Sequence, residues 1–300
     1  MRKVLVVAGV TGVGKSAFGV KLAQRFNGEI ISGDSVAVYK ELSIGSAKIK
    51  TEEMDGIDHH GIDIVTLNDK FNVRDFQKYG RIKIDEIAER GKLPIIVGGT
   101  GLYIRALLYD YEFQNEQEID NAWMNSMTNE ELHNELLKVD PKQSEIIHHN
   151  NRKRVIRALS IAIANQKSKT EMLNEQKHEL IYDALILSCT MPRDALYDRL
   201  NIRVEDMVKD GLLEEIKLAS EVAGWDHPAM AAIGYKEFKE YFEGKLSLTD
   251  AITLVQRNTR RFAKRQITWF KHQMPCRWVD MSSEEDVSQA IEEVSLWMNH

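Results

Sequence analysis

The sequence predicts an α/β fold, in which helices flank a parallel sheet and a mainly helical segment is inserted into the chain. Short, uninterrupted apolar runs alternate with stretches of helical periodicity, which is typical of parallel strands that are buried on both faces. From about residue 114 the sequence turns polar and helix-forming, and an apolar run returns near residue 184. The first observation predicts the sheet, and the second predicts the insertion.

The first third of the chain has a β-α-β order. The apolar runs are of strand length, and the second helix has Asn72 at its start and Gly91 after its end. Since ligands of parallel sheets bind at the carboxyl ends of the strands, we expect the segments that follow these strands to share one rim. The predicted strands are Val4–Ala8, Glu29–Ser32 and Leu93–Val97, and the predicted helices are Ser16–Phe26 and Asn72–Arg90.

The rest of the chain reads as the insertion followed by a helical tail. Residues 115–182 form the predicted insertion, and residues 1–114 with 183–300 form the predicted core. In the insertion we expect an acidic loop over Gln114–Asp120, helices over Asn129–Lys138 and Asn151–Asn165, and a polar, mobile segment over Lys167–Glu179. The strand Ala184–Cys189 then returns to the sheet. The predicted tail helices are Asp194–Asp210, Leu212–Ala223, Lys236–Glu243 and Asp250–Gln273.

The composition is that of an ordinary globular protein, with 43% hydrophobic and 29% charged residues in 300. Only two cysteines occur, Cys189 and Cys276, which excludes a disulfide scaffold and suits a reducing cytosol. The apolar stretch Val4–Ala8 is too short for a signal peptide, and no run has the roughly 18 apolar residues of a membrane helix. We expect a cytoplasmic monomer that does not associate with membranes.

A glycine-rich loop follows the first predicted strand and matches the pattern G-x-x-x-x-G-K-[ST]. A strand, such a loop and a following helix direct backbone N–H groups at one spot, with the positive end of the helix dipole behind them. This arrangement predicts a site for a di- or triphosphate such as ATP in a P-loop NTPase-like sheet. Lys15 would neutralise the phosphate oxygens, and the Ser16 hydroxyl would bind Mg²⁺. The phosphate loop consists of Gly9, Val10, Thr11, Gly12, Val13, Gly14, Lys15 and Ser16.

Acidic residues near this loop are placed unusually for a nucleotide hydrolase. Ordinary P-loop NTPases have a Mg²⁺-binding Asp after a neighbouring strand, but glycines follow Val97 here. The carboxylate instead comes at Asp34, just after the second strand, where it would face the phosphate loop. It could act as a general base, bind a metal ion or cap the N-terminus of a helix.

Two basic segments stand out against a net charge of −6. Residues 251–279 contain no Asp or Glu, and Arg257, Arg261 and Lys264 share one helix face there. Residues 146–170 also lack acids and contain a basic group from Arg152 to Arg157. For the first group, uncompensated repulsion favours an anionic partner such as a nucleic acid over a solvated helix face. For the second group, an anionic partner and a solvated helix start both stay open.

Several segments together resemble one family, the bacterial tRNA dimethylallyltransferases. The resemblance runs in order through nearly the whole chain, which makes it far more specific than the phosphate loop alone. Its segments are Gly9–Ser16, Ile30–Ser35, Ile44–Lys48, Asp58–His60, Asp75–Phe76, Val97–Ile104, Arg154–Leu159, Ile233–Glu237 and Lys264–Phe270.

The resemblance implies transfer of a dimethylallyl group from its diphosphate to N6 of adenine 37 in tRNA, next to the anticodon. The phosphate loop, with Mg²⁺, would then hold the departing diphosphate, and Asp34 would be the general base. The same resemblance implies that the anticodon stem-loop contacts Thr100, the Asp34 turn and one helix of the insertion. The implied tRNA-binding residues of these last two segments are Asp34, Ser35, Val36 and Ala37, and Lys153, Arg154, Val155, Ile156 and Arg157.

The chain departs from the family pattern at three positions. Ala37 stands where the family often has Gln, Ser160 stands where Glu is common, and Ser46 replaces Thr in a Gly-Thr-Ala-Lys segment. The longer eukaryotic members carry a C-terminal zinc finger, which we do not expect in this sequence.

Two other functions compete with tRNA prenyl transfer. One is a small-molecule P-loop kinase or an isopentenyltransferase that acts on free AMP, and the two basic segments disfavour it because a small acceptor needs no extended cationic surface. The other is a non-catalytic, nucleotide-dependent RNA-binding module, which Asp34 beside the phosphate loop disfavours.

Overall fold

A computed structural model describes residues 1–113, 122–175 and 178–300. The predicted loop Gln114–Asp120 lies outside these residues. Every sheet pairing is parallel, and the order is β3-β2-β4-β1-β5-β6. The strands are β1 (Lys3–Gly9), β2 (Gly28–Ser32), β3 (His59–His60), β4 (Leu93–Val97), β5 (Asp183–Thr190) and β6 (Arg277–Asp280).

Helices connect the strands, except for the loop from β2 to β3, and form most of the rest of the described chain. The predicted α/β fold, a parallel sheet flanked by helices, is confirmed. The helices are α1 (Lys15–Arg25), α2 (Val73–Glu89), α3 (Gly101–Leu108), α4 (Ala122–Ser126), α5 (Asn129–Val139), α6 (Pro141–Ile146), α7 (Arg152–Asn165), α8 (Lys169–Glu175), α9 (Arg193–Lys209), α10 (Leu212–Ala223), α11 (Lys239–Phe242), α12 (Leu248–Gln273) and α13 (Glu284–Asn299).

The order of the strands brings three loops to one rim. β1 lies between β4 and β5, with Val7 in register with Val97 and Gly9 with Cys189. β2 pairs with the other side of β4, where Ser32 is opposite Val97. The loops after β1, β2 and β4 therefore leave the sheet side by side, as parallel strands require.

Apolar burial on both faces holds this sheet. The side chains from Val4 to Ala8 are fully buried, as the uninterrupted run predicts. The 26-residue helix α12 crosses two apolar clusters, with Val255 in one and Ala263 in the other. No helix in the described ranges is long and apolar enough to span a bilayer.

The described chain divides into two compact units, residues 1–108 with 180–300, and residues 109–179. The sequence placed the corresponding boundaries after residues 114 and 182. The second unit has its own apolar core, in which Leu132 and Leu136 of α5 pack with Val155 and Leu159 of α7.

The structure differs from the sequence expectations in a few short elements. The segment Lys167–Glu179, for which no helix was predicted, contains α8, and the backbone N–H of Ser168 donates to the carboxylate of Glu171 in a capping turn at its start. The predicted helix Lys236–Glu243 is a 3₁₀ turn followed by the single turn α11. The elements β3, β6 and α13 had no expectation from the sequence.

Candidate active site

The phosphate loop turns sharply between β1 and α1. Gly9 has a φ of 128°, and a Cβ there would lie 2.2 Å from the carbonyl oxygen of Cys189 on β5. Gly14, with a φ of 99°, is the N-cap residue that precedes α1. The side chains of Val10 and Val13 are buried beneath the loop, so its backbone faces outward. Glycine is required at both turns because L side chains rarely adopt these angles.

Lys15 is held within the phosphate loop itself. Its Nζ donates a hydrogen bond to the carbonyl oxygen of Val10 at 2.5 Å. Burial lowers the pKa of Lys15 to about 8, against the opposing effect of Cys189; the charge of Arg203 lowers the pKa and that of Asp34 raises it, each to a smaller extent. A bound anion would reverse this shift because it stabilises the protonated ammonium group.

Ser16 is exposed at the start of α1. Within the described ranges its hydroxyl forms no hydrogen bond, and no group of three or more His, Cys, Asp or Glu could hold a metal ion. Mg²⁺ needs only one or two protein ligands when substrate phosphates and water complete its octahedron. The residues therefore fit an ion held between Ser16 and a bound diphosphate, and do not fit an all-protein metal cage.

Asp34 follows β2 and caps a turn. Its Oδ1 accepts hydrogen bonds from the backbone N–H groups of Val36 at 2.8 Å and Ala37 at 3.2 Å. Among the described residues none donates to Oδ2, and the side chain is only half-buried. One carboxylate oxygen thus fixes the turn while the other stays open to a ligand. The carboxylate caps a turn and not a helix N-terminus, because no helix begins directly after Asp34, and its second oxygen leaves the base role available.

Thr100, in the loop after β4, joins that turn. Its backbone N–H donates to the carbonyl oxygen of Gly33 at 3.2 Å, and its hydroxyl accepts from the backbone N–H of Ser35 at 3.2 Å. The Gly33 N–H in turn donates to Val97 at 2.8 Å. These bonds fix the Asp34 turn against the loop after β4.

Gln266 of α12 links the loops after β1 and β4, and sequence reasoning gave it no role. Its Oε1 accepts from the backbone N–H of Thr11 at 3.0 Å, and its Nε2 donates to the carbonyl oxygen of Gly99 at 2.9 Å. The side chain is 6% exposed. A buried amide that uses both its donor and its acceptor on backbone groups fixes their separation. A polar residue on the buried face of a long helix was the available signal.

Two cavities open around these loops. The larger, of about 620 Å³, is lined by the phosphate loop and the second, of about 360 Å³, by the residues preceding Tyr235 and by α12. Asp34, Thr100 and Arg203 of α9 line both cavities. Burial lowers the pKa of Arg203, and the charge of Arg199 adds to the effect. Neither arginine was singled out from the sequence.

The predicted basic face of α12 is present. Arg257, Arg261 and Lys264 are all exposed on the helix. Arg260 instead donates to Asn201 of α9, and Arg265 lines the second cavity. Arg257, Arg261 and Lys264 therefore form a cationic face, whereas Arg260 belongs to the packing and Arg265, which is also exposed, lines the second cavity.

The predicted basic helix of the insertion is α7 of the second unit. Lys153, Arg154 and Arg157 are exposed on it, whereas Arg152 donates to carbonyl oxygens of the segment before α5. Val155 is fully buried and Ile156 half-buried in the core of the unit. The sequence placed Val155 in the tRNA-contacting segment, but its side chain is part of the core and is not exposed to a ligand.

Known proteins match nearly the whole length of this chain. A tRNA dimethylallyltransferase of Anoxybacillus flavithermus is 47% identical over 294 residues, which cover 97% of this chain and 94% of that protein. One from Bacillus subtilis is 45% identical over 298 residues, with 97% and 95% covered.

Solved structures share the fold. The tRNA isopentenylpyrophosphate transferase of Bacillus halodurans has a TM-score of 0.76 at 39% identity, and the match covers 100% of this chain and 97% of that one. A eukaryotic dimethylallyltransferase described as acting on tRNA has a TM-score of 0.84 at 32% identity, over 98% of this chain and 78% of the other. A family model described as IPP transferase matches residues 37–273. The chain belongs to the IPP transferase family, as the resemblance in its sequence predicted.

Proposed function

We propose that the protein transfers the dimethylallyl group of dimethylallyl diphosphate to N6 of adenine 37 in tRNA, beside the anticodon. The observation that carries the proposal is the place of Asp34, which lines both cavities and has one carboxylate oxygen that no described residue donates to. The larger cavity contains the phosphate loop and suits the diphosphate donor. The second cavity, with its more apolar lining, suits the acceptor base.

The phosphate loop binds the group that leaves. Breaking the C–O bond at an allylic carbon leaves negative charge on the diphosphate, and backbone N–H groups at a helix N-terminus stabilise such charge. Lys15 and Arg203 add positive charge to the same cavity. When bound beside Ser16, Mg²⁺ would neutralise further charge on the diphosphate.

Asp34 takes up the proton. The exocyclic N6 forms a bond to the allylic carbon as the C–O bond breaks, and the carboxylate accepts one N6 proton at Oδ2. Because an exocyclic amine is a weak nucleophile, the alignment of nitrogen and carbon matters at least as much as the base. The bonds from Thr100 to the Asp34 turn serve this alignment.

The two basic faces bind the tRNA backbone. Arg257, Arg261 and Lys264 lie in the first unit, and Lys153, Arg154 and Arg157 lie in the second. Exposed cations of this kind contact phosphates and position an RNA without reading its bases. A free nucleotide would need neither face.

The test is transfer of label from radioactive dimethylallyl diphosphate with Mg²⁺ present. The acceptors are a tRNA with A37, the same tRNA with G37, and AMP. We expect label on the A37 tRNA alone. Label on AMP alone, label on none of the three, or equal label on the G37 tRNA would contradict the proposal.

A further inference from the structure

The loop from Ser43 to Lys48 forms a wall of both cavities. Ser46 and Ala47 line the larger cavity and the second cavity alike. Ala47 has a φ of 50°, which is uncommon for a residue other than glycine. The loop therefore adopts a defined and mildly strained shape between the two spaces that the proposed reaction uses.

The carboxylate of Glu215 in α10 accepts four hydrogen bonds, three of them from this loop. Its Oε2 accepts from the backbone N–H groups of Ser43 and Ile44, each at 2.7 Å. Its Oε1 accepts from the backbone N–H of Gly45 at 2.9 Å and from the Tyr235 hydroxyl at 2.8 Å. Three consecutive amides that converge on one anion form a compact turn, which the negative charge stabilises.

The ring of Tyr235 also packs against this turn. A Cβ on Gly45 would lie 2.4 Å from the Tyr235 ring, so the ring packs directly on the backbone of Gly45. Tyr235 is fully buried, and burial together with the negative charge of Glu215 raises the pKa of its hydroxyl. The phenol thus stays protonated and donates to the carboxylate.

Glu215 and Tyr235 also connect two segments that line the second cavity. One segment contains Gly45, and the other contains Ile233 and Gly234, which precede Tyr235. Gly234 is fixed in turn, because its N–H donates to the buried carboxylate of Glu237 at 2.9 Å. A displacement of the Glu215 side chain would therefore move the Ser43–Lys48 loop, which is the partition between the two cavities, and leave the phosphate loop unchanged.

We propose that Glu215 is a positioning residue of the transfer reaction, which acts through the Ser43–Gly45 turn to keep the partition at Ser46 and Ala47 in place. This proposal rests on the proposed function. With the partition fixed, the allylic carbon faces the acceptor nitrogen. With the partition loose, water reaches the carbon, and the donor is hydrolysed to an alcohol and diphosphate.

The test compares Glu215→Gln, Tyr235→Phe and Asp286→Asn with the wild-type protein. A Gln at 215 keeps the shape but puts an NH₂ where two donors meet a carboxylate oxygen. Tyr235→Phe removes one donor and keeps the ring. Asp286 is the matched control, because its carboxylate also accepts from a backbone N–H, that of Asp280 at 2.6 Å, and lines neither cavity.

The measured quantities are kcat on tRNA, KM for dimethylallyl diphosphate and the ratio of donor hydrolysis to transfer. We expect Glu215→Gln to lower kcat about 10- to 100-fold and raise the ratio at least tenfold, with KM changed less than threefold. Tyr235→Phe should lower kcat and raise the ratio of hydrolysis to transfer, each by a few-fold. Asp286→Asn should leave the ratio at the wild-type value.

Three outcomes overturn the proposal. One is a wild-type ratio in folded Glu215→Gln, and another is an equal change in Asp286→Asn. If Glu215→Gln does not fold, a wild-type ratio in Tyr235→Phe overturns it. A wild-type protein that labels no tRNA refutes the proposed function itself, and is thereby distinguished from a failure of the positioning role.

Discussion

Replacement of Asp34 separates its two roles, since one oxygen caps a turn and the other is open. Asp34→Asn keeps an Oδ1 that accepts from Val36 and Ala37 but removes the basic oxygen. Asp34→Ala removes both. Loss of a general base costs about 10²- to 10⁴-fold in rate, or about 3–5 kcal/mol on the barrier. Loss of a cap costs about 1 kcal/mol of stability, and Asn caps about as well as Asp.

We therefore expect Asp34→Asn and Asp34→Ala to lower kcat by about 10²- to 10⁴-fold each. Only Asp34→Ala should also lose about 1 kcal/mol in the free energy of unfolding. Both should keep the tRNA affinity within a few-fold of wild type. Single-turnover transfer, filter binding and urea denaturation measure the three quantities.

The matched control is Asn72→Ala. Asn72 caps α2 with the same geometry, accepting from the N–H groups of Arg74 and Asp75, and lines neither cavity. It should lose about 1 kcal/mol and keep the wild-type kcat. The base role is refuted if Asp34→Asn retains wild-type kcat, or if Asp34→Ala loses rate only in proportion to its loss of stability.

Three further predictions concern charges. Reversing Arg154 and Arg157 to Glu should weaken tRNA binding at least tenfold and lower the salt slope of log Kd by about 1–2, and an unchanged slope would identify a solvated face. Because burial lowers the pKa of Lys15 to about 8, diphosphate affinity should fall as pH rises through 8, by up to tenfold per unit, and calorimetry that finds a flat Kd from pH 7 to 9.5 would contradict this. Burial alone would raise the pKa of Glu29, but hydrogen bonds from Arg90, Lys92 and His60 lower it to about 2. The ionised Glu29 stabilises the fold above pH 4.5, and this stabilisation is lost as the pH falls toward 2. Glu29→Gln should therefore lower the free energy of unfolding by about 3 kcal/mol at pH 7, and its Tm should fall less steeply than that of the wild type as the pH is lowered from 4.5 to 2.

The sequence predicted the features that depend on local pattern. Uninterrupted apolar runs identify strands buried on both faces, and Asn72 marks the start of α2 because its cap is a local interaction. The two-residue strand β3 has no periodicity to detect. The strand β6, Arg277–Asp280, is held by register with β5, which is a long-range pairing.

Only the locally encoded part of the candidate site could be predicted from the sequence. The phosphate loop and Asp34 have local signatures. Glu215 and Gln266 do not, because each acts on backbone groups more than 160 positions away, and a Glu or a Gln in a helix usually faces solvent. Arg203 belongs to an ordinary amphipathic helix, and only the packing of α9 beside the phosphate loop places it in the cavity.

Steric contacts explain why distant segments of the family pattern function together. A Cβ on Gly99 would lie 2.5 Å from the Gln266 amide, and a Cβ on Gly101 would lie 2.2 Å from the Trp269 ring. Gly45 meets Tyr235 in the same way. Gly45 and Gly99 belong to loops at the rim, Gly101 is the first residue of α3, and each partner belongs to the C-terminal third of the chain. A larger residue at Gly45 or Gly101 would meet an aromatic ring, and one at Gly99 would meet the end of the Gln266 side chain, so each glycine allows its partner to pack against the rim.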